Sequence, residues 1–466
     1  MTSSLTYCML HLGLGSFHRA HQAVYMHQLQ QTGDRSWALA GGNIRPDLDG
    51  SIAALLKQSG AYTLETVTPQ GEHSYLRVES VHTVVPYELG IPQLLRIGAD
   101  ADTRIISFTV TEAGYYLDAK NRINISAVDI ANDLLAAGLQ RAGQTIYGAL
   151  TAILRLRMLH KSGPVTLLNC DNLRHNGDLA RDGLLQFIEL MEDTELYRWV
   201  QANTTCPNAM VDRITPRPTA DVALRVKAAT SWDDQAALMG ESFIQWVMED
   251  NFIAGRPAWE KVGVEMVESV APYEEAKIRL LNATHSCIAW AGTLQGYTYI
   301  HEGSLDTVIR QFAYDYVTND TIPVLLPSPL DLAAYRDTVL DRFANPAIAD
   351  TNQRVAMDGF SKIPGFIAPT IRERLARSAP IDSVAMLPAL FLAYLQQWHR
   401  QAIPYTYQDQ AMNPQQAHSI CEATDPVEAF CHNAVLWGDL QANPHLIAAM
   451  QKAYQRVEHF MKVHTQ

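Results

Sequence analysis

The 466-residue chain is short of cysteine and of long apolar runs, and each shortage excludes a class of protein. Its six cysteines form no Cys-x-x-Cys pair, which predicts reduced thiols in a cytoplasmic protein and argues against a disulfide framework. The longest apolar run, residues 384–395, has 12 residues and contains Pro388. A membrane-spanning helix needs about 20 such residues, so we expect no membrane association.

Positive charge is also scarce. The chain has 36 Lys+Arg against 49 Asp+Glu, a formal net charge of −13. This balance argues against a nucleic-acid binder, which needs a basic surface, and leaves room for a local site for a small anion. The first residues lack the basic and apolar regions of a signal peptide. We therefore expect a soluble, cytoplasmic protein with a small-molecule substrate and no obligate protein partner.

The pattern of predicted elements changes along the chain. Four β-rich runs are expected to be strands: residues 9–14, 37–41, 104–110 and 165–169. Four stretches among them are expected to be helices: residues 19–31, 51–58, 129–139 and 145–160. This alternation predicts a parallel sheet with helices on both faces. Residues 199–268 have a mixed pattern, and we assign them to the same α/β domain, which then spans residues 1–270.

The sequence becomes helical from about residue 272. Six segments there have helical character: residues 274–293, 305–317, 331–343, 383–401, 426–434 and 444–463. β-branched runs are rare in this part of the chain. We therefore expect a mainly α-helical substrate and catalytic domain over residues 271–466.

A glycine turn near the N-terminus is typical of dinucleotide binding. Gly13 and Gly15 stand between a predicted strand and a predicted helix. The first glycine permits a tight turn, the second lets a pyrophosphate approach the backbone, and the following helix N-terminus faces the phosphates. His18 stands where a third glycine is usual. Such a turn also occurs as a purely structural connection, but its place at the start of an α/β domain favours a dinucleotide-binding, Rossmann-type domain.

The acid that binds the adenosine ribose is expected after the second strand, about 20 residues beyond the fingerprint. Asp47 and Asp49 are the candidates, and solvated loop aspartates would fit the sequence equally well. Arg45 lies nearby and could favour a 2′-phosphate instead. The pair His18 and His21 has the spacing of metal ligands, but no further ligands accompany it, so we expect no metal site.

The most informative stretch is an apolar helix with a polar stripe. If Lys277 is set at 0° on a regular α-helix, Glu274 falls at about 60°, His285 at about 80° and Asn282 at about 140°. Such groups on a buried helix form either a satisfied core network or a catalytic constellation. Burial and a positive charge on His285 would favour the neutral amine of Lys277, which can remove a hydroxyl proton. The amide of Asn282 can donate to a developing alkoxide.

A second polar cluster follows the predicted strand at 165–169. Ligands in α/β sheets bind beyond the carboxyl ends of the strands, so Asn172 could supply a second amide donor. Taken alone, this Asn- and Gly-rich segment fits an ordinary turn equally well.

Seven motifs in the same order resemble those of the mannitol dehydrogenase family, the polyol-specific long-chain dehydrogenases. Four lie in the first part of the chain: Gly-Leu-Gly-Ser-Phe-His-Arg-Ala-His-Gln at 13–22, Thr-Glu-Ala-Gly-Tyr at 111–115, Cys-Asp-Asn-Leu-Arg-His-Asn-Gly at 170–177 and Val-Asp-Arg-Ile-Thr-Pro-Arg at 211–217. Three lie in the second part, and two of them are Asp-Thr-Asn-Gln-Arg at 350–354 and Gly-Phe-Ser-Lys-Ile-Pro at 359–364. The most specific is the K-x4-N-x2-H pattern of Lys277, Asn282 and His285.

The resemblance implies a metal-independent, NAD-preferring dehydrogenase with a Rossmann-type N-terminal domain and a helical C-terminal domain. It implies that Lys277 is the general base, that Asn172 and Asn282 form the oxyanion pocket, that His285 binds near the reacting oxygen and that Glu274 helps proton exchange. The implied cofactor contacts are Gly13, Gly15, Ser16, Phe17, His18, Arg19, Asp47, Thr111 and Glu112. The implied substrate contacts are Asp212, Arg354 and Lys362.

Within the family, further segments resemble members that oxidise D-arabinitol to D-xylulose. Met357 stands where mannitol-active members often carry a histidine. Three alternatives stay open on the sequence: oxidation of mannitol, reduction of a hexuronate through Arg354 and Lys362, and a non-catalytic nucleotide sensor on the same scaffold. An intact set of Lys277, Asn282 and His285 argues against a sensor.

Overall fold

The computed structural model describes residues 7–47, 50–118 and 120–463 of the chain. Within them, the chain divides into two units. The first runs to Thr68 and again over Glu72–Ala271, and the second comprises Pro69–Gly71 and the residues from Pro272 onward.

The first unit is built around a six-stranded parallel sheet. In chain order the strands are β1 (Tyr7–Leu12), β2 (Trp37–Gly42), β3 (Tyr62–Val67), β4 (His73–Val78), β5 (Val81–Val85), β6 (Thr103–Phe108), β7 (Val165–Asn169), β8 (Thr204–Thr205), β9 (Ala209–Asp212), β10 (Leu238–Glu241), β11 (Gln245–Glu249) and β12 (Glu265–Val267). The main sheet has the order β5-β2-β1-β6-β7-β8, and its neighbours pair in parallel. From β1 the strand order runs through β2 to β5 on one side, and from β6 it runs through β7 to β8 on the other. Ligands of such sheets bind at this change of direction, between β1 and β6.

Both faces of this sheet are covered, as a parallel sheet requires. Successive residues of one strand point to opposite faces, so Leu39 and Ala40 of β2 enter two different apolar clusters. In the same way, Ile105 and Ile106 of β6 pack into the apolar clusters on opposite faces of the sheet. Two small sheets, β10-β3-β4 and β12-β11-β9, complete the strands of the unit.

Nine helices accompany these strands in the described residues. They are α1 (Ser16–Ala20), α2 (Gln22–Gln31), α3 (Ser51–Lys57), α4 (Pro92–Ala99), α5 (Val128–Gly138), α6 (Ile146–His160), α7 (Asn176–Leu190), α8 (Thr194–Asn203) and α9 (Ala220–Thr230). The single helix expected over residues 19–31 is wrong, because His21 leaves helical geometry at φ −124° and ψ −87° and separates α1 from α2. The strand expected over 9–14 ends earlier, at Leu12, because Gly13 turns the backbone to a φ of +104°.

From the boundary onward the described chain is helical. The α-helices there are α10 (Ala271–Ala276), α11 (Ala283–Leu294), α12 (Ile300–Leu305), α13 (Thr307–Asp315), α14 (Ile322–Leu325), α15 (Leu332–Phe343), α16 (Asn352–Ala356), α17 (Gly359–Lys362), α18 (Ala368–Ala376), α19 (Met386–His399), α20 (Pro414–Glu422), α21 (Pro426–Cys431), α22 (Ala434–Trp437) and α23 (Pro444–Val463). The predicted fold class, a Rossmann-type α/β domain followed by a mainly α-helical domain, is confirmed.

Three π-helical segments interrupt the helices of the second unit. They cover Lys277–Asn282, Tyr316–Thr321 and Ile363–Ile367. The first packs against both others, and the Tyr316 hydroxyl donates to the carbonyl of Arg279 at 2.8 Å. Short π-helical segments are rare and frequently lie at functional sites, which directs attention to Lys277 and its neighbours.

Two further expectations concern the thiols and the membrane. All six cysteines are free thiols, and four of them are buried. In the part of the chain that the structure describes, no helix has both the length and the apolar composition that crossing a membrane requires.

Candidate active site

The glycine turn is shaped by a close approach between β1 and β6. A Cβ atom on Gly13 would lie 2.2 Å from the carbonyl oxygen of Thr109, so only glycine fits there. The Gly15 N–H donates to the Gly13 carbonyl at 2.7 Å, and the Leu14 N–H donates to Asn43 Oδ1 at 2.8 Å. Gly15 is exposed at the carboxyl edge of the sheet, at its crossover point, which is where a dinucleotide-binding turn belongs.

The residues after this turn divide between surface and interior. Ser16 and Phe17 are half-buried. His18 is fully buried with its ring stacked on His11 at 3.5 Å between centroids. Burial and the nearby His11 hold the pKa of His18 well below its usual value, so this imidazole is neutral. The buried Arg19 donates to the Ala236 carbonyl at 2.6 Å. Cofactor contacts by His18 and Arg19 stay predictions.

The candidates for ribose recognition have partners of their own. Asp47 Oδ2 accepts the Ile52 N–H at 2.7 Å, in the first turn of α3. The guanidinium of Arg45 donates to Asp129 Oδ2 at 2.9 Å and to the Tyr116 hydroxyl at 2.7 Å. Arg45 is therefore held by a neighbouring carboxylate, which offsets its attraction for a 2′-phosphate. Asp49, the second candidate, lies outside the described residues.

Two loops at the carboxyl edge carry further predicted residues. Thr111 and Glu112 follow β6 and are exposed, and Asn172 follows the adjacent β7 and is exposed as well. The buried carboxylate of Asp171 connects the two loops, since it accepts the Thr111 N–H at 2.9 Å. The structure thus brings the predicted oxyanion donor Asn172 and the predicted nucleotide contacts to one edge of the sheet. Asp212 is buried at the end of β9.

The polar helix runs from Ala271 to Leu294 through α10, a π-helical segment and α11. Its apolar residues are buried, as the sequence predicts, with Trp290 and Ile288 fully inaccessible to solvent. Glu274 and Lys277 are buried too, and Asn282 is half-buried. Burial in general disfavours the charged form of a lysine, and the neutral amine is the form that can act as a general base.

The π-helical segment changes the angle between Lys277 and Asn282. The Ala283 N–H donates to the carbonyl of Ile278, five residues earlier, whereas an α-helix pairs residues four apart. The wider turn brings residues five apart closer to the same face. The angle of about 140° expected for a regular helix is therefore wrong, and Asn282 lies nearer to the face of Lys277 than the sequence predicts.

His285 lies one turn beyond the π-helical segment and is held on two sides. Its ring stacks on Phe343 at 4.2 Å between centroids, and Nε2 lies 3.2 Å from Asp350 Oδ2. Burial lowers the pKa of His285 from its ordinary value, and the neighbouring Asp350 only partly opposes this effect. The imidazole is therefore neutral near pH 7. The positive charge on His285 that the sequence suggested is wrong, because burial penalises the imidazolium more than Asp350 stabilises it.

The carboxylate of Asp350 also holds a predicted substrate contact. Arg354 donates to it through two nitrogens, with Nε 2.6 Å from Oδ1. Burial raises the pKa of Asp350, but the neighbouring His285 and Arg354 outweigh burial and leave that pKa well below its usual range. Lys362 Nζ donates to the Val355 carbonyl at 2.5 Å. The structure thus brings Arg354 and Lys362 near His285, and their positive charges add to the effect of burial in lowering its pKa.

Asp350 and Phe343 are the site residues that sequence reasoning missed. Asp350 stands in a motif that identified the family, but no role was assigned to it. Its spacing of four residues from Arg354 was the available signal, because side chains at that spacing meet on a helix. Phe343 offered no signal, since its contact with His285 depends on the packing of separate helices.

The question of a metal centres on His18 and His21. Nε2 of His21 lies 2.8 Å from the carbonyl oxygen of Gln245, so this nitrogen carries a proton and donates it there. Among residues 7–47, 50–118 and 120–463, no group of three or more His, Cys, Asp or Glu side chains has the arrangement of a metal site. Metal-independence of the chemistry stays a prediction.

Known proteins match this chain over nearly its whole length. Residues 8–261 match the model of the mannitol dehydrogenase Rossmann domain, and residues 269–458 match that of the mannitol dehydrogenase C-terminal domain. The chain is 57% identical to a D-arabinitol 4-dehydrogenase of Ralstonia nicotianae, over 97% of this chain and 96% of that protein. It is 53% identical to a D-arabinitol 4-dehydrogenase of Klebsiella pneumoniae, over 95% and 96% of the two chains.

A solved structure has the same fold. The Pseudomonas fluorescens mannitol 2-dehydrogenase, in a ternary complex with NAD and D-mannitol, superposes with a TM-score of 0.81 at 32% identity, over 98% of this chain and 94% of that one. The resemblance inferred from seven motifs is confirmed by matches to both domains and by relatives that share more than half of the residues. The chain belongs to the mannitol dehydrogenase family.

Proposed function

We propose that the chain is an NAD-dependent polyol dehydrogenase that oxidises D-arabinitol at C4 to D-xylulose. The observation that carries the chemistry is the buried Lys277, which shares one helix with Asn282 and His285. The choice of substrate is supported by identities of 57% and 53% to two D-arabinitol 4-dehydrogenases over nearly their full lengths.

The first unit has the features that a bound dinucleotide needs. Gly13 leaves no room for a side chain at the sheet crossover, and Gly15 exposes backbone where a pyrophosphate would lie. We assign contacts with NAD to Gly13, Gly15, Ser16, Phe17, His18, Arg19, Asp47, Thr111 and Glu112. When bound, the nicotinamide accepts the hydride, and the protein supplies binding, orientation and electrostatics.

The proposed reaction begins at the hydroxyl group on C4 of the polyol. Lys277, as the neutral amine, removes the hydroxyl proton, and Glu274 on the preceding turn passes it on towards solvent. The amides of Asn172 and Asn282 donate to the oxygen as negative charge develops on it. Neutral His285, fixed by Phe343 and Asp350, holds the oxygen in place.

The surroundings of Arg354 favour a neutral polyol over a hexuronate. A uronate substrate needs a cation directed at its carboxylate. One edge of the Arg354 guanidinium, made of Nε and Nη2, donates to Asp350, and Lys362 donates to a backbone carbonyl. We assign Asp212, Arg354 and Lys362 to contacts with the polyol hydroxyls. The carboxylate of a hexuronate would meet an arginine whose positive charge Asp350 already offsets.

Formation of NADH with a panel of substrates tests the proposal. D-arabinitol should give the highest kcat/KM, mannitol a lower one, and hexuronates should not be reduced at a comparable rate with NADH. A higher kcat/KM for mannitol would move the assignment to a mannitol 2-dehydrogenase. Binding of NADH without turnover of any polyol would favour the nucleotide sensor.

The contact of Asp350 with His285 and Arg354 gives a test of substrate positioning. Asp350→Ala should raise KM for D-arabinitol about tenfold, because two contacts of the polyol lose their common anchor, a loss of about 1.4 kcal/mol. The kcat should fall less, since Lys277 keeps its helix. The control is Asp341→Ala, which removes an exposed carboxylate bound to Arg310 at 2.9 Å. An unchanged KM in Asp350→Ala would show that Asp350 only stabilises the fold.

Cofactor choice gives a further test through Asp47. Its carboxylate should accept hydrogen bonds from the adenosine ribose and repel a 2′-phosphate. Asp47→Ala should then narrow the NAD to NADP ratio of kcat/KM by roughly tenfold, about 1.4 kcal/mol. Adding Arg45→Ala should reverse part of the gain with NADP. An unchanged ratio together with a lower melting temperature would show that Asp47 stabilises the N-terminal turn of α3 and does not select the cofactor.

A further inference from the structure

Asp171 is a buried carboxylate at the carboxyl end of β7, with no role in the proposed chemistry. Its Oδ1 accepts the Thr111 N–H at 2.9 Å, and its Oδ2 accepts the Val110 N–H at 3.0 Å and the Tyr115 hydroxyl at 2.5 Å. Val110, Thr111 and Tyr115 belong to the segment that follows β6. One carboxylate therefore binds the neighbouring loop at three points.

The loop held in this way is strained at Thr111. The backbone there has a φ of +67° and a ψ of +163°, a conformation that glycine adopts readily and that a β-branched residue adopts rarely. Such a conformation persists only where the surroundings enforce it, and it occurs preferentially at binding and catalytic sites. The bond from the Thr111 N–H to Asp171 is a direct restraint on this residue.

The backbone of Asp171 is fixed as firmly as its side chain. Its N–H donates to Asn169 Oδ1 at 2.9 Å, and its carbonyl accepts the side-chain amide of the buried Asn176 at 3.0 Å. The Leu173 N–H also donates to that carbonyl at 3.0 Å. The peptide units that flank Asn172 are thus tied to the same residue that restrains Thr111.

We propose that Asp171 is a positioning residue that sets the loop of Thr111 and Glu112 and the turn of Asn172 in one fixed arrangement. A single carboxylate then determines where the nucleotide contacts lie relative to the oxyanion donor. The inference rests on the proposed function for the roles of these three residues. The restraint of the loop itself does not depend on that function.

Three variants separate positioning from simple stabilisation. Asp171→Ala removes the acceptor of the Val110 and Thr111 N–H groups. Asp171→Asn keeps an acceptor for the backbone N–H groups, and its amide can donate to the Tyr115 hydroxyl, so it should conserve the arrangement. Tyr115→Phe removes one donor only. The matched control is Asp100→Ala, which removes an exposed carboxylate that accepts the Asp102 N–H at 2.8 Å just before β6.

Two measurements read the outcome. Hydrogen exchange of the Val110 and Thr111 amides, without cofactor, should accelerate about tenfold or more in Asp171→Ala and little in Asp171→Asn or the control. NADH titration by fluorescence should give a Kd about tenfold higher in Asp171→Ala, with a lower kcat for D-arabinitol, and a Kd within about threefold of wild type in Asp171→Asn.

The proposal is overturned if folded Asp171→Ala keeps wild-type exchange and NADH affinity while only its melting temperature falls. If Asp171→Ala does not fold, the same two measurements are made on Tyr115→Phe. Faster exchange of the Thr111 amide and a higher Kd for NADH would support the proposal, and unchanged values would contradict it. Absence of NADH binding in the wild type would instead refute the proposed function, and the exchange measurement would still decide whether Asp171 restrains the loop.

Discussion

Replacing Lys277 by alanine should lower kcat for D-arabinitol by roughly 10²–10⁴-fold, the range that a positioned general base contributes. The affinity for NAD should stay nearly unchanged, because the amine acts on the polyol hydroxyl and not on the nucleotide. A small primary amine added to the solution should restore part of the rate. Steady-state kinetics and NADH titration of the same preparation measure both quantities.

The matched control for this variant is Lys452→Ala, which removes an exposed lysine of the same unit. Its kcat should equal that of the wild type. In the wild type, oxidation should accelerate with rising pH, since Lys277 must lose its proton before it can act as a base. Near-native turnover of Lys277→Ala, or a wild-type rate that does not change between about pH 6 and about pH 10, would show that Lys277 is not the general base.

The second large effect is expected at the two amides. Asn172→Ala and Asn282→Ala should each lower kcat by on the order of 10²–10³, the loss measured when one oxyanion donor is removed. KM should change less, because these amides bind the charged oxygen of the transition state more strongly than the neutral hydroxyl.

Two asparagines outside the site serve as controls. Asn203 donates to the Trp199 carbonyl at 2.9 Å, and the exposed Asn319 donates to Ser383 Oγ at 3.1 Å. Alanine at either position should leave kcat unchanged. If Asn172→Ala or Asn282→Ala alters only KM, that residue is a binding contact and has no part in stabilising the oxyanion.

The fold and much of the site could be predicted because their signals are local. Gly13 needs a conformation that other residues avoid, so its place after a β-rich run indicated the turn and the Rossmann-type sheet. The apolar surroundings of Lys277, Asn282 and His285 likewise indicated a buried polar stripe. These features depend on residues within a few positions of one another.

The remaining features depend on contacts between distant residues. The π-helical segment at Lys277–Asn282 packs against two other π-helical segments, and nothing in its own six residues distinguishes it from a regular helix. The charge of His285 depends on its burial and on Asp350, 65 residues further along the chain. The break at His21 arises where its ring meets the carbonyl of Gln245 in β11. Sequence periodicity carries no information on such tertiary contacts.

Transfer of deuterium from labelled D-arabinitol tests the central claim most directly. With deuterium at C4, the enzyme should form D-xylulose and deuterated NADH, and kcat or kcat/KM should show a primary isotope effect wherever hydride transfer limits the rate. With deuterium at C2, the NADH should carry no label. Label transferred from C2 with formation of D-ribulose, or no NADH from D-arabinitol at all, would contradict the account.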